Sequence, residues 1–170
     1  DYIVSPSASC TGFVRNNFGK IFENNAFQSP AKKVTNRMFE LSEFLVTILK
    51  VTDVGAKFEG KATYHDSCAG LRECHIKKEP RQLLSAVKGL ELVEMNEVET
   101  CCGFGGSFAV KYDTISVSMA DQKIENIINT KAEYLISTDL SCLMHLEGRL
   151  KYNGNEVKIL HLADVLASGY

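Results

Sequence analysis

The stretch of this 170-residue chain best suited to chemistry is Thr100-Cys101-Cys102-Gly103-Phe104-Gly105-Gly106-Ser107. Two adjacent cysteines do not readily bond to each other, because a ring closed over one peptide is forced away from ordinary disulfide geometry. Both can instead reach one large, soft acceptor lying over the turn. Gly103, Gly105 and Gly106 allow bends that a side chain would block, and they bring backbone N–H groups close to whatever is held. Thiolate is the soft ligand favoured by zinc and by iron–sulfur clusters. The stretch therefore reads as half of a metal or cluster site whose other ligands lie elsewhere in the chain.

The elements that must position those ligands alternate. Strands are expected at residues 2–5, 61–65, 91–95, 134–137 and 157–160, where short apolar or β-branched runs are bounded by turn residues. Between them, apolar residues recur at helical spacing. Phe13, Val14, Phe18, Ile21 and Phe22 form one such set, weakened by Gly12 and Gly19. A long helix is expected from Ser29 as N-cap and Pro30 at the first position, with Val34, Met38, Leu41, Leu45, Ile48 and Leu49 as its buried stripe. Residues 71–77 read as helical, and Pro80 starts a further helix that Gly89 stops. Asp113 caps a helix carrying Ile115, Met119, Ile124, Ile127 and Ile128, and others cover residues 143–150 and Val165-Leu166.

This alternation predicts an α/β fold, a mostly parallel sheet with helices on both faces. Cys10, Cys68, the Cys101-Cys102 pair and Cys142 each follow a predicted strand. In a parallel sheet those loops share the carboxyl edge, where ligands bind. Cys68, Cys101, Cys102 and Cys142 can therefore converge, and the helix after each loop favours thiolate and an anionic cluster. Four thiolates suit a [4Fe–4S] cluster or a structural zinc. Zinc sites usually draw on Cys-x-x-Cys pairs, and the chain has none, so the pattern favours iron–sulfur. The plainer alternative is buried cysteines acting as small apolar residues, which is the reading for Cys74. His65 and Asp66 either orient the site from behind or are a polar pair at a strand end. His161 is expected to cap a helix. The G-x-G-x-x-G spacing of a dinucleotide site is missing, and no serine or carboxylate constellation points to a hydrolase.

Composition removes other classes. A net charge of −2 provides no basic surface for nucleic acid. Six cysteines are too few for a secreted disulfide scaffold. No signal peptide or membrane-spanning apolar run is visible. A reducing, cytoplasmic setting is expected, with membrane contact at most peripheral. The chain opens on Asp1-Tyr2-Ile3-Val4-Ser5 without methionine, and is expected to be a fragment of something longer.

At this point the chain resembles a known family, the cysteine-rich CCG domain. The resemblance rests on Thr63-Tyr64-His65-Asp66-Ser67-Cys68, Pro80-Arg81-Gln82-Leu83-Leu84, Cys101-Cys102-Gly103-Phe104-Gly105-Gly106 and Leu140-Ser141-Cys142-Leu143-Met144-His145. Here 32 residues separate Cys68 from Cys101 and 39 separate Cys102 from Cys142. The domain occurs in the cysteine-rich component of heterodisulfide reductase, the glycolate oxidase iron–sulfur subunit and the lactate-utilisation iron–sulfur protein, which is the best match. The resemblance implies an iron–sulfur electron-transfer subunit of a complex oxidising L-lactate or glycolate, partnered by its other subunits and inactive as an isolated fragment. Cluster ligands carry over to Cys68, Cys101, Cys102 and Cys142, with Gly103 completing the motif. One departure stands out: where heterodisulfide reductase has Cys-x-x-Cys, this chain has Cys142-Leu143-Met144-His145. His145 is either a substitute nitrogen ligand or a bystander. A thiol–disulfide reductase and a structural zinc domain remain competing readings.

Residues 1–10 also align with residues 133–142. Tyr2, Ser5, Ser9 and Cys10 repeat as Tyr134, Ser137, Ser141 and Cys142. The expectation is a duplication, with residues 1–54 the end of a first repeat plus a connecting helix and residues 55–170 the second repeat. Cys10 would then be the last ligand of a first site; the alternative is that it joins the second site as a fifth ligand, since it too follows a strand. By the repeat offset, a further Cys-Cys-Gly should be encoded about 40 residues before Cys10, and another cysteine about 30 residues further back.

Overall fold

The computed structural model describes residues 1–169. All strand pairings are parallel, as the alternation requires, but they fall into two sheets. β1 (Ile3–Ser5) pairs with β2 (Met38–Glu40). The larger sheet has the spatial order β4-β3-β5-β6, from β3 (Lys57–Tyr64), β4 (Lys88–Leu92), β5 (Tyr134–Ser137) and β6 (Lys158–His161).

Side chains on a strand alternate between faces, and β5 displays the consequence. Ile136 joins one core with Ala62, Tyr64, Leu83, Leu84, Leu162 and Val165. Its neighbour Leu135 joins another with Ile124, Ile127, Leu143, Leu146 and Leu150. The first core brings in α4 (Glu79–Ser85) and α8 (Leu162–Leu166); the second brings in α6 (Asp113–Asn129) and α7 (Leu140–Tyr152). A central strand buried on both faces must read as continuously apolar, as Tyr134-Leu135-Ile136 does.

Between β1 and β2 run α1 (Ala8–Ile21) and α2 (Gln28–Thr35). The long helix expected from Ser29 to Leu49 does not form. Phe27 stands at the N-cap position of α2, and Ser29 lies inside its first turn. The helix ends at Thr35 because Met38-Phe39-Glu40 is drawn out to pair with Ile3-Val4-Ser5. Glu40 then restarts a helix. Its Oε2 accepts from Ser42 N at 2.7 Å and Glu43 N at 3.3 Å, while Glu40 N donates back to Glu43 Oε2 at 3.3 Å. This capping box starts α3 (Leu41–Glu43), which runs on into a π-helical turn, Phe44–Ile48.

Two other expectations need correction. The helix expected over residues 71–77 is a π-helical turn, Ala69–Glu73, closed by His75 at φ +59°. Gly89 does not end a helix: α4 stops at Ser85, and Gly89 lies in β4, which starts earlier than residue 91. α5 (Ser107–Lys111) leads into α6 as expected, although Tyr112 rather than Asp113 holds the cap position.

Candidate metal centre

β3 connects outward to β4 on one side of the sheet, and β5 to β6 on the other. The loops leaving the carboxyl ends of β3 and β5 therefore open a crevice between them, the usual ligand position in a parallel sheet. Cys68 follows β3 and Cys142 follows β5. Cys101 and Cys102 arrive from the loop after β4.

Each arm is held by buried polar contacts. On the first, His65 N donates to Ile136 O at 2.8 Å, and His65 O accepts from Ser137 Oγ at 2.9 Å. Asp66 is 3% exposed and receives Arg81 through both oxygens, Nη1 to Oδ1 at 3.0 Å and Nη2 to Oδ2 at 2.8 Å. Gly70 N donates to Ser67 Oγ at 3.0 Å, closing the turn around Cys68.

On the second arm, Lys123 of α6 is fully buried and donates from Nζ to Glu97 O at 2.9 Å, Val98 O at 2.7 Å and Thr100 Oγ1 at 3.3 Å. Burial lowers its pKa to about 8. Gly103 sits at φ +90°, and a Cβ there would lie 2.6 Å from Ser116 O, so only glycine allows the turn to lie this close to α6. Ser116 Oγ donates to Gly103 O at 2.8 Å.

On the third arm, Asp139 caps α7, its Oδ1 accepting from Ser141 N at 3.3 Å and Ser141 Oγ at 2.5 Å. Its Oδ2 accepts from Ser9 N at 3.1 Å.

Cys68, Cys101, Cys102 and Cys142 line one open cleft of about 390 Å³, together with Ser9, Phe104, Gly105 and Gly106. Cys102 Sγ lies 3.0 Å from Cys142 Sγ, and Cys68 lies against Cys101. A hydrogen bond from Cys142 holds the Cys102 thiol down to about 4 despite its burial, helped by the His65 ring and the Phe104 N–H. The same bond, with burial, pushes Cys142 far up. Burial and the neighbouring Cys101 push Cys68 up to about 12. A thiophilic cation would have to displace these protons, and would relieve the mutual repulsion of the sulfurs.

Unpaired groups around the sulfurs bear on what fits there. His65 is 0% exposed, and neither ring nitrogen has an oxygen or nitrogen partner; only the Cys102 sulfur draws on the ring. Such a group costs about 1–3 kcal/mol. One of its nitrogens lies with Cys102 Sγ and Cys142 Sγ in a group whose members are all within 4.8 Å of one another. Four sulfurs and a spare imidazole fit a metal ion or an iron–sulfur group.

Other residues singled out from the sequence lie elsewhere. Cys10 is exposed in the first turn of α1, where its N–H donates to Ser7 Oγ. Cys74 is buried, and its thiol donates to Ala8 O at 3.3 Å. His145 Nε2 lies 3.4 Å from Ser116 Oγ, and its ring tilts against Phe104 at 5.8 Å. His161 caps α8, Nδ1 accepting from Ala163 N at 3.0 Å. Lys123 does not stand out in the sequence, although it falls midway between Met119 and Ile127 on the apolar stripe, where a charge must have buried partners.

Known proteins resemble this chain over most of its length. The family described as "CCG: Cysteine-rich domain" matches residues 62–147, from β3 through most of α7. Lactate utilization protein A of Geobacillus sp. (strain WCH70) is 46% identical over 169 residues, 99% of this chain and 71% of its own length. That of Oceanobacillus iheyensis is 41% identical over 167 residues, 98% of this chain and 68% of its own. The uncharacterized protein YkgE of Escherichia coli K12 is 44% identical over 168 residues, 99% and 70% of the two chains. With its Cys-Cys-Gly turn facing Cys68 and Cys142 across one cleft, the chain belongs to the cysteine-rich CCG domain family, alongside the lactate utilization A proteins.

Proposed function

We propose that Cys68, Cys101, Cys102 and Cys142 hold an iron–sulfur cluster, a [4Fe–4S] centre, in the cleft. The chain then serves as an electron-transfer subunit of a complex that oxidises a 2-hydroxy acid, L-lactate in the first instance and glycolate in the second. The observation that carries this reading is the arrival of four thiols from three loops at one crevice of a parallel sheet. Once bound, such a cluster would take up and release single electrons. The protein's own part is placement. Lys123 fixes the loop before Cys101, Gly103 lets Cys102 lie against α6, Arg81 anchors the loop before Cys68, and Asp139 orients the turn that carries Cys142. Burial of Cys102 and Cys142 keeps water from part of the site.

The partners are the other subunits of that complex. A cytoplasmic location accords with six unpaired cysteines, the usual state in a reducing compartment. Among the described residues, no helix is long and apolar enough to cross a membrane.

We further propose that residues 1–54 are the end of a first repeat, with Cys10 as a ligand of its site, and that residues 55–170 are the second. The pairing supports this. Ser5 lies opposite Glu40 in one sheet and Ser137 opposite His161 in the other, and Glu40 and His161 each cap the helix that follows.

The test is purification and reconstitution without oxygen, followed by assay of iron, acid-labile sulfide and zinc per chain. Iron and sulfide together, lost in Cys101→Ser and Cys102→Ser but kept in Cys74→Ser, are expected. Stoichiometric zinc without sulfide would replace this reading with a structural zinc domain. The 3.0 Å Cys102–Cys142 contact favours a second reading, a thiol–disulfide reductase using that pair. Against it, Cys102 is only 1% exposed, and a substrate disulfide must reach the attacking sulfur.

A further inference from the structure

We propose that His65 is itself a ligand of the centre, one imidazole nitrogen binding metal beside the Cys102 and Cys142 sulfurs. The inference rests on the reading that the cleft holds a metal-containing group, and it adds a nitrogen donor to a set otherwise made of sulfur.

Three observations converge on it. His65 lies just past the last residue of β3, its backbone tied on both sides to β5 through Ile136 O and Ser137 Oγ. The ring therefore starts from a fixed base and has little freedom to turn. It is completely buried, yet neither nitrogen finds an oxygen or nitrogen partner. Buried polar groups in folded proteins are almost always paired, and an orphan calls for a missing partner. Finally, the ring is aimed at two sulfurs: the nitrogen, Cys102 Sγ and Cys142 Sγ all lie within 4.8 Å of one another. Metal–nitrogen and metal–sulfur bonds run to roughly 2.0–2.3 Å, so small side-chain movements suffice for the nitrogen to join metal held at these sulfurs.

The thiols divide in a matching way. Cys102 contacts Cys142, and Cys68 lies against Cys101. His65 belongs with the first pair. His145, the other histidine near the site, has Ser116 Oγ and Phe104 for company. A neutral imidazole adds a donor without the further negative charge that a fifth thiolate would bring to the centre.

The experiment uses the chain labelled with ¹⁵N-histidine, reconstituted anaerobically with iron and sulfide, reduced, and examined by pulsed electron paramagnetic resonance. The expected result is the strong coupling of a directly bonded nitrogen, changing from the ¹⁴N to the ¹⁵N pattern with the label. It should persist in His145→Gln and vanish in His65→Gln. The labelled wild-type chain gives the answer even where His65→Gln fails to fold. A loaded wild-type centre with no directly bonded nitrogen overturns the proposal. If no iron and sulfide are retained, it is the cluster reading that fails, and His65 is then tested with cobalt(II) on the reduced metal-free chain. Imidazole scattering in the cobalt X-ray absorption spectrum supports ligation; a sulfur-only shell, or no cobalt binding, refutes it.

Discussion

Removing the Arg81 guanidinium should destabilise the protein far more than a surface charge would. Arg81 makes a paired contact with both oxygens of Asp66, reaches Glu94 with Nε at 2.5 Å and Nη2 at 2.9 Å, donates to Lys77 O at 2.7 Å, and lies 5.1 Å over the Tyr64 ring. Glu94 is half exposed, so its pairing is worth at most about 1 kcal/mol. Asp66 is different. Its side chain is 2% exposed, and Arg81→Leu would strand a carboxylate in the interior. Breaking a buried pair from one side costs about 3–5 kcal/mol. Arg81 retains some water contact, which places the expected loss near the lower end, about 3 kcal/mol. For a chain of this size that lowers the unfolding temperature by roughly 6–12 °C. Circular dichroism of the metal-free, reduced protein would measure it. The double variant Asp66→Asn/Arg81→Leu removes the stranded charge and should recover roughly half of the loss. A loss below about 1 kcal/mol for Arg81→Leu, or strictly additive losses in the double variant, would refute the reasoning. Because Asp66 stands two residues before Cys68, bound iron per chain should fall in Arg81→Leu as well.

Lys123→Met should lower both stability and iron retention, by leaving Glu97 O and Val98 O without their donor. Since Lys123 has a folded pKa near 8, below its ordinary 10.5, the native state holds fewer protons than the unfolded one between those values. Wild type should therefore gain stability relative to Lys123→Met as pH rises from 8 to 10.5; a difference that stays flat in thermal melts would contradict the assigned burial. Gly103→Ala should cost about 1–3 kcal/mol from backbone strain alone and lose bound metal, whereas Gly19→Ala, in a helix with open space around it, should be neutral or stabilising. Glu40 has its pKa raised by burial and leaves Oε1 unpartnered. A raised carboxyl contributes stability below its unfolded pKa and loses it as pH rises through the folded one. Glu40→Gln should accordingly gain on wild type toward neutral pH and show no advantage in acid, as read from melts across that range.

What could be read from the sequence was whatever depended on short-range pattern. The apolar run at residues 134–137 and the strand ahead of Cys68 follow from composition within a few residues. The convergence of Cys68, Cys101, Cys102 and Cys142 followed from parallel topology, since every loop at one edge faces the same crevice. Long-range competition stayed hidden. Met38-Phe39-Glu40 continues a plausible helical stripe, and only the distant Ile3-Val4-Ser5 edge makes extension the better choice. The capping box of Glu40 and Glu43 was legible in principle, but an acidic N-cap inside an apolar stripe reads as surface. For Lys123 and Arg81, the meaning lies in partners 15 to 26 residues away. His65 is visible in the sequence as a polar residue at a strand end, but its lack of partners is a property of the packed molecule alone.

The proposed repeat extends further in geometry than in residues. Met38-Phe39-Glu40 and Ile159-Leu160-His161 share no identical residue, yet they pair with equivalent positions of β1 and β5, and each ends in the cap of the next helix. The proposed halves meet in part at the site. Ser9 N donates to Asp139 Oδ2, Ala8 N donates to Thr138 O at 3.4 Å, and the Cys74 thiol donates to Ala8 O. The loop after β1 thus forms part of the wall of the cleft that holds Cys68, Cys101, Cys102 and Cys142. On the proposed duplication, a boundary at residue 54 would divide the chain by ancestry and not by mechanics. Cutting there would free Asp139 from Ser9 and open one wall of the centre, so the two parts are expected to hold metal together and not separately. That explains how Cys10 can be exposed and apart from the four thiols while its immediate neighbour, Ser9, helps to enclose them.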